Sequence, residues 1–509
     1  MLSKTFGAAV YGVNAVVITV EVSVGQGTEF YMVGLPDSAV KESQQRVESA
    51  LKYNGHYMPR NRVVVNMAPA DLRKEGSSYD LPIALAIMNA SGQLNADIEK
   101  YMIMGELALD GALRPVKGVL PIAIEARKQG FKGFILPEDN ASEAAIVNNL
   151  EVIGVKNISD AIDHLEGTKI IEPTTKDTRE IFEYESGNFE LDFADVKGQD
   201  NIKRALEIAA AGSHNVLMIG PPGAGKTMLA QRLPSILPPL SLSEALETTK
   251  IHSVAGKLGK QSTLVATRPF RAPHHTISDV ALVGGGSVPQ PGEISLAHNG
   301  VLFLDELTEF KRSTLEVMRQ PLENREVTIS RARISVDFPS NFMLVASMNP
   351  STKGFQGKDD SFWNHETVMK AMSKISGPLL DRIDMHLEVS PVSFDEMTSA
   401  QKAEPSEVIR QRVISAREIQ NERFDSLTGI HSNAMMGPRQ IKDHCKVDQS
   451  GIALMKAAMN KLGFSARAYD RILKLARTIA DLAGSPEIRV EHLAEAIQYR
   501  CLDRETSTV

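Results

Sequence analysis

Gly220-Pro221-Pro222-Gly223-Ala224-Gly225-Lys226-Thr227 fits the pattern G-x-x-x-x-G-K-[ST]. Glycines in such a loop let backbone N–H groups close on phosphate oxygens, and a helix beginning there adds a favourable dipole. The lysine reaches the β- and γ-phosphates, and the threonine hydroxyl sits on Mg²⁺. Asn215 to Ile219 is apolar and Thr227 to Leu233 reads as a helix, so the loop has the strand–loop–helix setting this chemistry needs. ATP and Mg²⁺ are the expected ligands.

Three further stretches carry chemistry. Val301-Leu302-Phe303-Leu304 ends in Asp305-Glu306. An apolar strand there delivers Asp305 to the magnesium and leaves Glu306 to polarise a water against the γ-phosphate. Standing alone, the pair would equally suit a strand ending in solvated acids. The apolar run Phe342 to Ala346 leads to Asn349, whose amide can orient the attacking water or simply form a turn before Pro350. Arg382 stands among acids and apolar residues in Gly377-Pro378-Leu379-Leu380-Asp381-Arg382-Ile383-Asp384, ahead of a strand at His386 to Val389. It reads as a surface ion pair or as an arginine finger, which in phosphoryl transfer is worth about 10³–10⁵ in rate.

These residues need a large frame. The chain has 509 residues, 42% hydrophobic and 23% charged, which suits a globular protein of about three domains. No apolar run spans a bilayer, so no membrane association is expected. Two cysteines, Cys445 and Cys501, make neither a disulfide framework nor a four-thiolate metal site, and they point to a reducing, cytoplasmic setting. The net charge of −7 excludes a chain that is basic all over, so any nucleic-acid contact must use locally concentrated positive charge. Phe6 to Val20 could pass for the core of a signal peptide. The alternation continues through Val20, Val22 and Val24 into Gly25-Gln26-Gly27 and another apolar run, so a β-hairpin is expected instead.

Residues 1–170 alternate strand-like runs (Val63 to Val65, Tyr101 to Met104) with helical ones (Asp80 to Asn89, Ile122 to Gln129). Residues 171–190 are polar, acidic and without apolar period, and read as a linker. A second α/β region occupies 191–395. Residues 396–509 are helical: Pro405-Ser406-Glu407 opens an amphipathic helix carrying Val408, Ile409, Val413, Ile414 and Ile419, and Ser465 caps another.

Taken in order, the four motifs resemble those of an AAA+ ATPase. Asp305-Glu306 resembles its Walker B, Asn349 its sensor 1 and Arg382 its finger. The insertion Gly284 to Gly300 and the hairpin-like alternation Glu326 to Phe338 are similar to those of the magnesium-chelatase, MCM and enhancer-activator branch. Ser465-Ala466-Arg467-Ala468-Tyr469 resembles that branch's sensor 2, which gives Arg467 a part at a nucleotide. Lys74-Glu75-Gly76-Ser77-Ser78, Gly105 to Ala126 and Ile135-Leu136-Pro137 resemble the proteolytic domain of Lon. A Lon-protease-like α/β domain, an AAA+ core with a parallel sheet and a C-terminal helical lid together resemble the ComM/YifB family. That resemblance implies a bacterial hexameric DNA helicase promoting branch migration during natural transformation. It implies a homo-oligomeric ring, single-stranded, duplex or branched DNA as partner, and recombination proteins as further partners. Many members carry a cysteine cluster after sensor 1, like a zinc-binding knob. Pro350 to His365 has none, so no structural zinc is expected.

Two alternatives test that reading. A Lon-like protease needs a lysine base beside its serine. The serine position matches Ser78, but the lysine position falls on Leu120, and Lys117 lies three residues earlier, so an inactive scaffold is expected. A chelatase-like subunit would need partner subunits and a porphyrin. For the DNA motor, Arg331 and Arg333 are the candidate backbone contacts, with solvated strand charges as the plainer account.

Overall fold

Strand β1 (Leu2–Tyr11) alternates buried and open positions and reverses at Gly12, whose φ of +62° suits glycine, into β2 (Asn14–Gly25). The hairpin therefore turns earlier than Gly25-Gln26-Gly27. Gly25 ends β2, and the next strand, β3 (Phe30–Val33), lies beyond β4 (Arg62–Ala68) and pairs with it in parallel. The structure is a computed structural model describing residues 1–500 apart from 186, 188, 259–262, 287–288, 332–333, 351–364, 399–402, 426 and 428.

The first sheet is completed by β5 (Tyr101–Ile103), a short ribbon of β6 (Glu106–Leu107) and β7 (Leu113–Arg114) beside it, then β8 (Gly133–Pro137) and β9 (Glu151–Val155). Its order is β3-β4-β2-β1-β5-β8-β9, antiparallel at β2 with both β1 and β4 and parallel elsewhere. The helix Asp80–Ala90 is buried almost all round, between the sheet and the helix Ser43–Tyr53. Residues 171–190 are more than a linker. A helix, Thr178–Glu185, docks Ile181 and Phe182 on the first core, and Thr178 Oγ1 donates to the Ile146 carbonyl at 3.0 Å. Two adjacent apolar residues make no period, yet they suffice to seat a short helix.

The second sheet is wholly parallel, in the order β11-β14-β17-β10-β18, from β10 (Val216–Ile219), β11 (Phe270–Arg271), β14 (Val301–Leu304), β17 (Met343–Met348) and β18 (Met385–Glu388). Every residue of β10, β14 and β17 is buried, as expected where both faces are covered. Val216, Met218, Val301 and Phe303 enter one core, while Leu217, Ile219, Leu302 and Leu304 enter the core on the other face. Two ribbons leave this sheet: β12 (Gly284–Gly285) with β13 (Gln290–Pro291), and β15 (Glu326–Arg331) with β16 (Ile334–Pro339). The insertion Gly284 to Gly300 thus holds the first ribbon and a short helix, Glu293–Leu296.

The two α/β regions are docked. Leu240, Ala245 and Leu264 of the second join the core of the first. The Gly12 turn lies so close to the second ribbon that an added Cβ would stand 2.8 Å from Val336 Cγ1. In the helical region, Ser406–Phe424 buries Ile409, Val413, Ala416 and Gln420, whereas Val408 and Ile419 are exposed, so its covered stripe is narrower than the apolar residues suggest. Ser465 Oγ accepts from the Ala468 N–H at 3.2 Å and caps Ala466–Leu482. No described helix is long and apolar enough to cross a membrane.

One buried charge cluster ties this helical region together. Asp481, fully buried, accepts from Arg423 at 2.6 Å, Arg477 at 3.0 Å and Asn433 at 2.8 Å. Removing the carboxylate strands two shielded guanidinium groups. Asp481→Ala should lower stability by about 3–5 kcal/mol, against less than 1 for an exposed pair such as Arg489–Glu491. Denaturant unfolding of Asp481→Ala and Glu491→Ala checks this, and equal losses would remove the assignment.

Candidate active site

The loop after β10 is shaped by its glycines. Gly223 and Gly225 have φ of +80° and +87°, and a Cβ at Gly220 would stand 2.4 Å from the Val389 carbonyl oxygen. The helix Lys226–Arg232 then begins one residue before the expected Thr227. Pro221, Pro222 and Ala224 complete the loop, with Ala224 buried and Pro222 and Gly223 open. Lys226 Nζ donates to the carbonyls of Gly220 at 2.7 Å and Pro221 at 2.8 Å and to Asn349 Oδ1 at 2.9 Å. Burial holds this ammonium below its ordinary range, against the pull of Asp305 and Glu306.

Strands β10, β17 and β14 are neighbours, so whatever follows them meets at one edge. Thr227 Oγ1 donates to Asp305 Oδ2 at 2.9 Å, and Asp305 Oδ1 accepts from Ser347 Oγ and from the Glu306 N–H, the latter at 3.1 Å. A hydroxyl and a carboxylate this close form an oxygen set suited to Mg²⁺ held through a nucleotide. Glu306 lies in the left-handed region, φ +53° and ψ +53°, and its N–H also donates to Ser347 Oγ at 3.2 Å. A non-glycine residue held there costs on the order of 1–3 kcal/mol and fixes where its side chain points. Lys226, Thr227, Asp305, Glu306 and Asn349 thus form one cluster.

Arg382 and Arg467 stand elsewhere. Arg382 precedes β18, which runs parallel to β10 in the register Val216↔Met385, so it lies at the opposite edge of the sheet from Gly220. A four-residue strand separates those edges by about 13 Å. Arg467 Nη1 pairs with Asp381 Oδ2 at 2.5 Å, and both arginines line a cavity of about 590 Å³ together with Arg325, Arg417, Arg471 and Lys474. No residue of the glycine loop lines it. Burial works against the ionised form of Asp384 in its wall, but Arg471 and His214 outweigh it and hold that carboxyl below its usual range.

The backbone of Arg331 ends β15, while Arg333 and residues 351–364 lie outside the described residues. In the first region, Ser78 is half-buried and Leu120 fully buried, with the Leu120 N–H donating to Glu143 Oε1 at 2.9 Å. The aliphatic chain of Lys117 covers Gly256 of the second region, where a Cβ would stand 2.8 Å from Cε.

Sequence reasoning missed three residues here. Ser347 is a polar residue inside a buried strand, which was a readable signal. Gln199 Nε2 donates to the carbonyls of Ala224 at 3.3 Å and Ser390 at 2.6 Å, and bridges the loop to the chain after β18. His275 Nδ1 lies 4.0 Å from Glu306 Oε2. Neither of these two carried a local signal.

The family model described as "Magnesium chelatase, subunit ChlI" matches residues 192–397. Those described as "Subunit ChlI of Mg-chelatase" and "Magnesium chelatase, subunit ChlI C-terminal" match 20–140 and 403–500. Competence protein ComM of Haemophilus influenzae is 44% identical over 507 residues, covering 99% of this chain and 98% of its own. YifB of Escherichia coli is 43% identical over 509 residues, with 99% and 98% covered. The magnesium-chelatase 67 kDa subunit of Heliobacterium mobile is 27% identical over 227 residues, 39% of this chain and 33% of its own. End-to-end similarity to ComM and YifB, around a central region that matches magnesium chelatase, makes this chain a member of the ComM/YifB family of magnesium-chelatase-like AAA+ proteins.

Proposed function

We propose that this protein is an ATP-driven ring motor on DNA, a helicase that promotes branch migration of recombination intermediates. The observation that carries the reading is the separation of Arg382 and Arg467 from the cluster around Lys226. A guanidinium at the far edge of the sheet serves a nucleotide held by a neighbouring subunit, so a closed ring, expected to be hexameric, completes each site. Lys226 and the backbone of Gly220 to Gly225 hold the triphosphate; Thr227 and Asp305 hold Mg²⁺. The cation would supply positive charge against the phosphate oxygens there. Glu306 takes the proton of the attacking water, Asn349 orients that water, and Arg382 with Arg467 faces the charge on the transferring group. The name of the Haemophilus relative, a competence protein, supports the link to DNA uptake. Arg331 and Arg333 are the proposed contacts to the DNA backbone. The packing of the Gly12 turn on Val336 supports a role for the first region in bracing that ribbon.

The cluster makes distinct claims for two residues. Glu306→Gln should bind ATP normally and lose turnover by about 10²-fold or more, since only the proton acceptor is gone. Lys226→Ala should instead weaken nucleotide binding itself. Fluorescent-nucleotide binding and phosphate release separate the two, and near-normal turnover in Glu306→Gln would remove its role.

The ring makes a claim about mixtures. Arg382→Ala subunits should bind ATP yet hydrolyse slowly, and mixing them with Lys226→Ala subunits should restore part of the activity. The mixed interface joins an intact glycine loop to an intact finger. Mixed rings that recover nothing at any ratio would rule out a finger acting across the interface.

The DNA reading is separated from a peptidase by two variants. Ser78→Ala should leave DNA-stimulated hydrolysis unchanged, and casein should stay intact with ATP. Arg331→Ala with Arg333→Ala should keep DNA-free hydrolysis but lower affinity for every DNA alike. The slope of log affinity against log salt should become shallower by about two phosphate contacts. Identical slopes and affinities would turn attention to the Gly284 to Glu293 ribbon.

A further inference from the structure

Arg382 is not free in this structure. One Nη donates to the Pro378 carbonyl, the other pairs with the Glu323 carboxylate, and the buried Nε has no partner. The positive groups nearby have acids of their own: Arg467 holds Asp381 and Arg471 holds Asp384, each at 2.5 Å, and Arg319 holds Glu316 at 3.0 Å. Among the described residues, Glu323 is the one acid paired with Arg382. Burial first, then the charges of Arg319, Arg467 and Arg471, works against the guanidinium cation and outweighs the support of Glu316, so an anion in direct contact favours it. Its side chain is 14% exposed and that of Glu323 is 59% exposed, so the carboxylate can withdraw towards solvent at little cost.

Where Glu323 sits gives the pair a second consequence. It lies on the helix Arg319–Asn324, and the chain runs from there through Arg325 into β15. Arg325 is the base of the ribbon: its carbonyl accepts from Ser340 N–H at 2.8 Å, just past the end of β16. Its N–H donates back to the Pro321 carbonyl at 2.9 Å, and its guanidinium donates to the Gly429 carbonyl of the helical region at 3.2 Å. No flexible spacer stands between Glu323 and the ribbon.

We infer that Glu323 is a positioning residue that stands in for the neighbour's γ-phosphate: it holds Arg382 when that site lacks ATP, and release of the pair on ATP binding frees the base of the β15–β16 ribbon. The inference rests on the reading of Arg382 as a finger. It supplies the link that reading leaves open, from the nucleotide in one subunit to the ribbon in the next. No bond is made or broken; one anion replaces another on the same guanidinium. The carboxylate and the phosphate compete for the finger, so the pair restrains hydrolysis until DNA on the ribbon or ATP next door shifts the balance.

The test is steady-state ATPase activity of the full-length protein, with and without single-stranded and branched DNA, for wild type, Glu323→Gln, Glu323→Asp, Arg382→Ala and Glu323→Gln with Arg382→Ala. Glu323→Gln should raise DNA-free turnover about fivefold, the low end of ordinary coupling between two sites, and shrink the stimulation by DNA by a similar factor. Glu323→Asp, which keeps the charge on a shorter arm, should fall between it and wild type. The double variant should drop to the level of Arg382→Ala, because a released finger matters only if it exists. A rise in rate cannot come from a damaged fold, and Glu323→Asp carries the test if Glu323→Gln fails to fold. Wild-type turnover and stimulation in Glu323→Gln, or a fall in a folded variant, overturns the latch alone. Wild-type turnover in Arg382→Ala overturns the finger reading and the latch with it.

Discussion

A parallel sheet sorts residues by whether they follow or precede a strand. In the order β14-β17-β10-β18, the segments after β14, β17 and β10 come together although Lys226 and Asn349 are 123 residues apart. The segment before β18 is sent to the far edge by the same rule. No side-chain rearrangement short of breaking the sheet can bring Arg382 to its own glycine loop. On the reading proposed above, this is why one subunit cannot complete its own site. A ring is then a consequence of strand direction rather than an addition to it.

Both edges store unfavourable local arrangements that the packed sheet makes tolerable. Lys226 is nearly buried with three neutral acceptors, and Glu306 is held at φ +53° by the Ser347 hydroxyl and the Asp305 carboxylate. The cavity at the other edge gathers more guanidinium and ammonium groups than acids to match them. Arg417 there is half-buried and donates to the carbonyls of Ala210 and Ala211, and desolvation, then Arg268, lowers its pKa to about 9. Such arrangements persist only where surrounding contacts fix them, and on the reading proposed above phosphate would bring the missing negative charge to Lys226 and to Arg382.

What the sequence made legible was what is encoded within a few consecutive residues. Apolar runs gave β10 ahead of the loop with Lys226, β14 with Asp305 and β17 with Asn349, because a buried parallel strand is mostly apolar, Ser347 in β17 being the exception. Ser465 was legible because a cap satisfies N–H groups only three residues away. The hairpin turn is not legible locally, because two glycine-bearing sites compete within β1–β3 and long-range strand pairing decides between them. The helix Thr178–Glu185 was hidden because its stability comes from the surface under it rather than from its own pattern. Gln199, His275 and Glu323 were illegible for a third reason. Each acts on a residue tens to hundreds of positions away, and nothing near it in the chain marks the partner.

On the reading proposed above, the first α/β region bears on mechanism through its junction with the second. The Leu120 N–H is tied to Glu143, whose carboxyl also accepts from Ser253 Oγ of the second region at 2.5 Å; burial pushes that carboxyl above its usual range. Lys117, the nearest lysine to the position a base would occupy, lies along Gly256 instead. The two residues flanking Ser78 on its C-terminal side are likewise engaged. The Tyr79 hydroxyl donates to the Ala8 carbonyl at 3.0 Å, and buried Asp80 pairs with Arg46 at 2.6 Å. Lys117 and the neighbours of Ser78 are thus engaged in the fold and its junction. A peptidase would need Lys117 to give up the packing that joins the two regions. A motor needs that packing kept, since the Gly12 turn on Val336 and the Ser253–Glu143 bond are two of the points at which movement of the second region reaches the first.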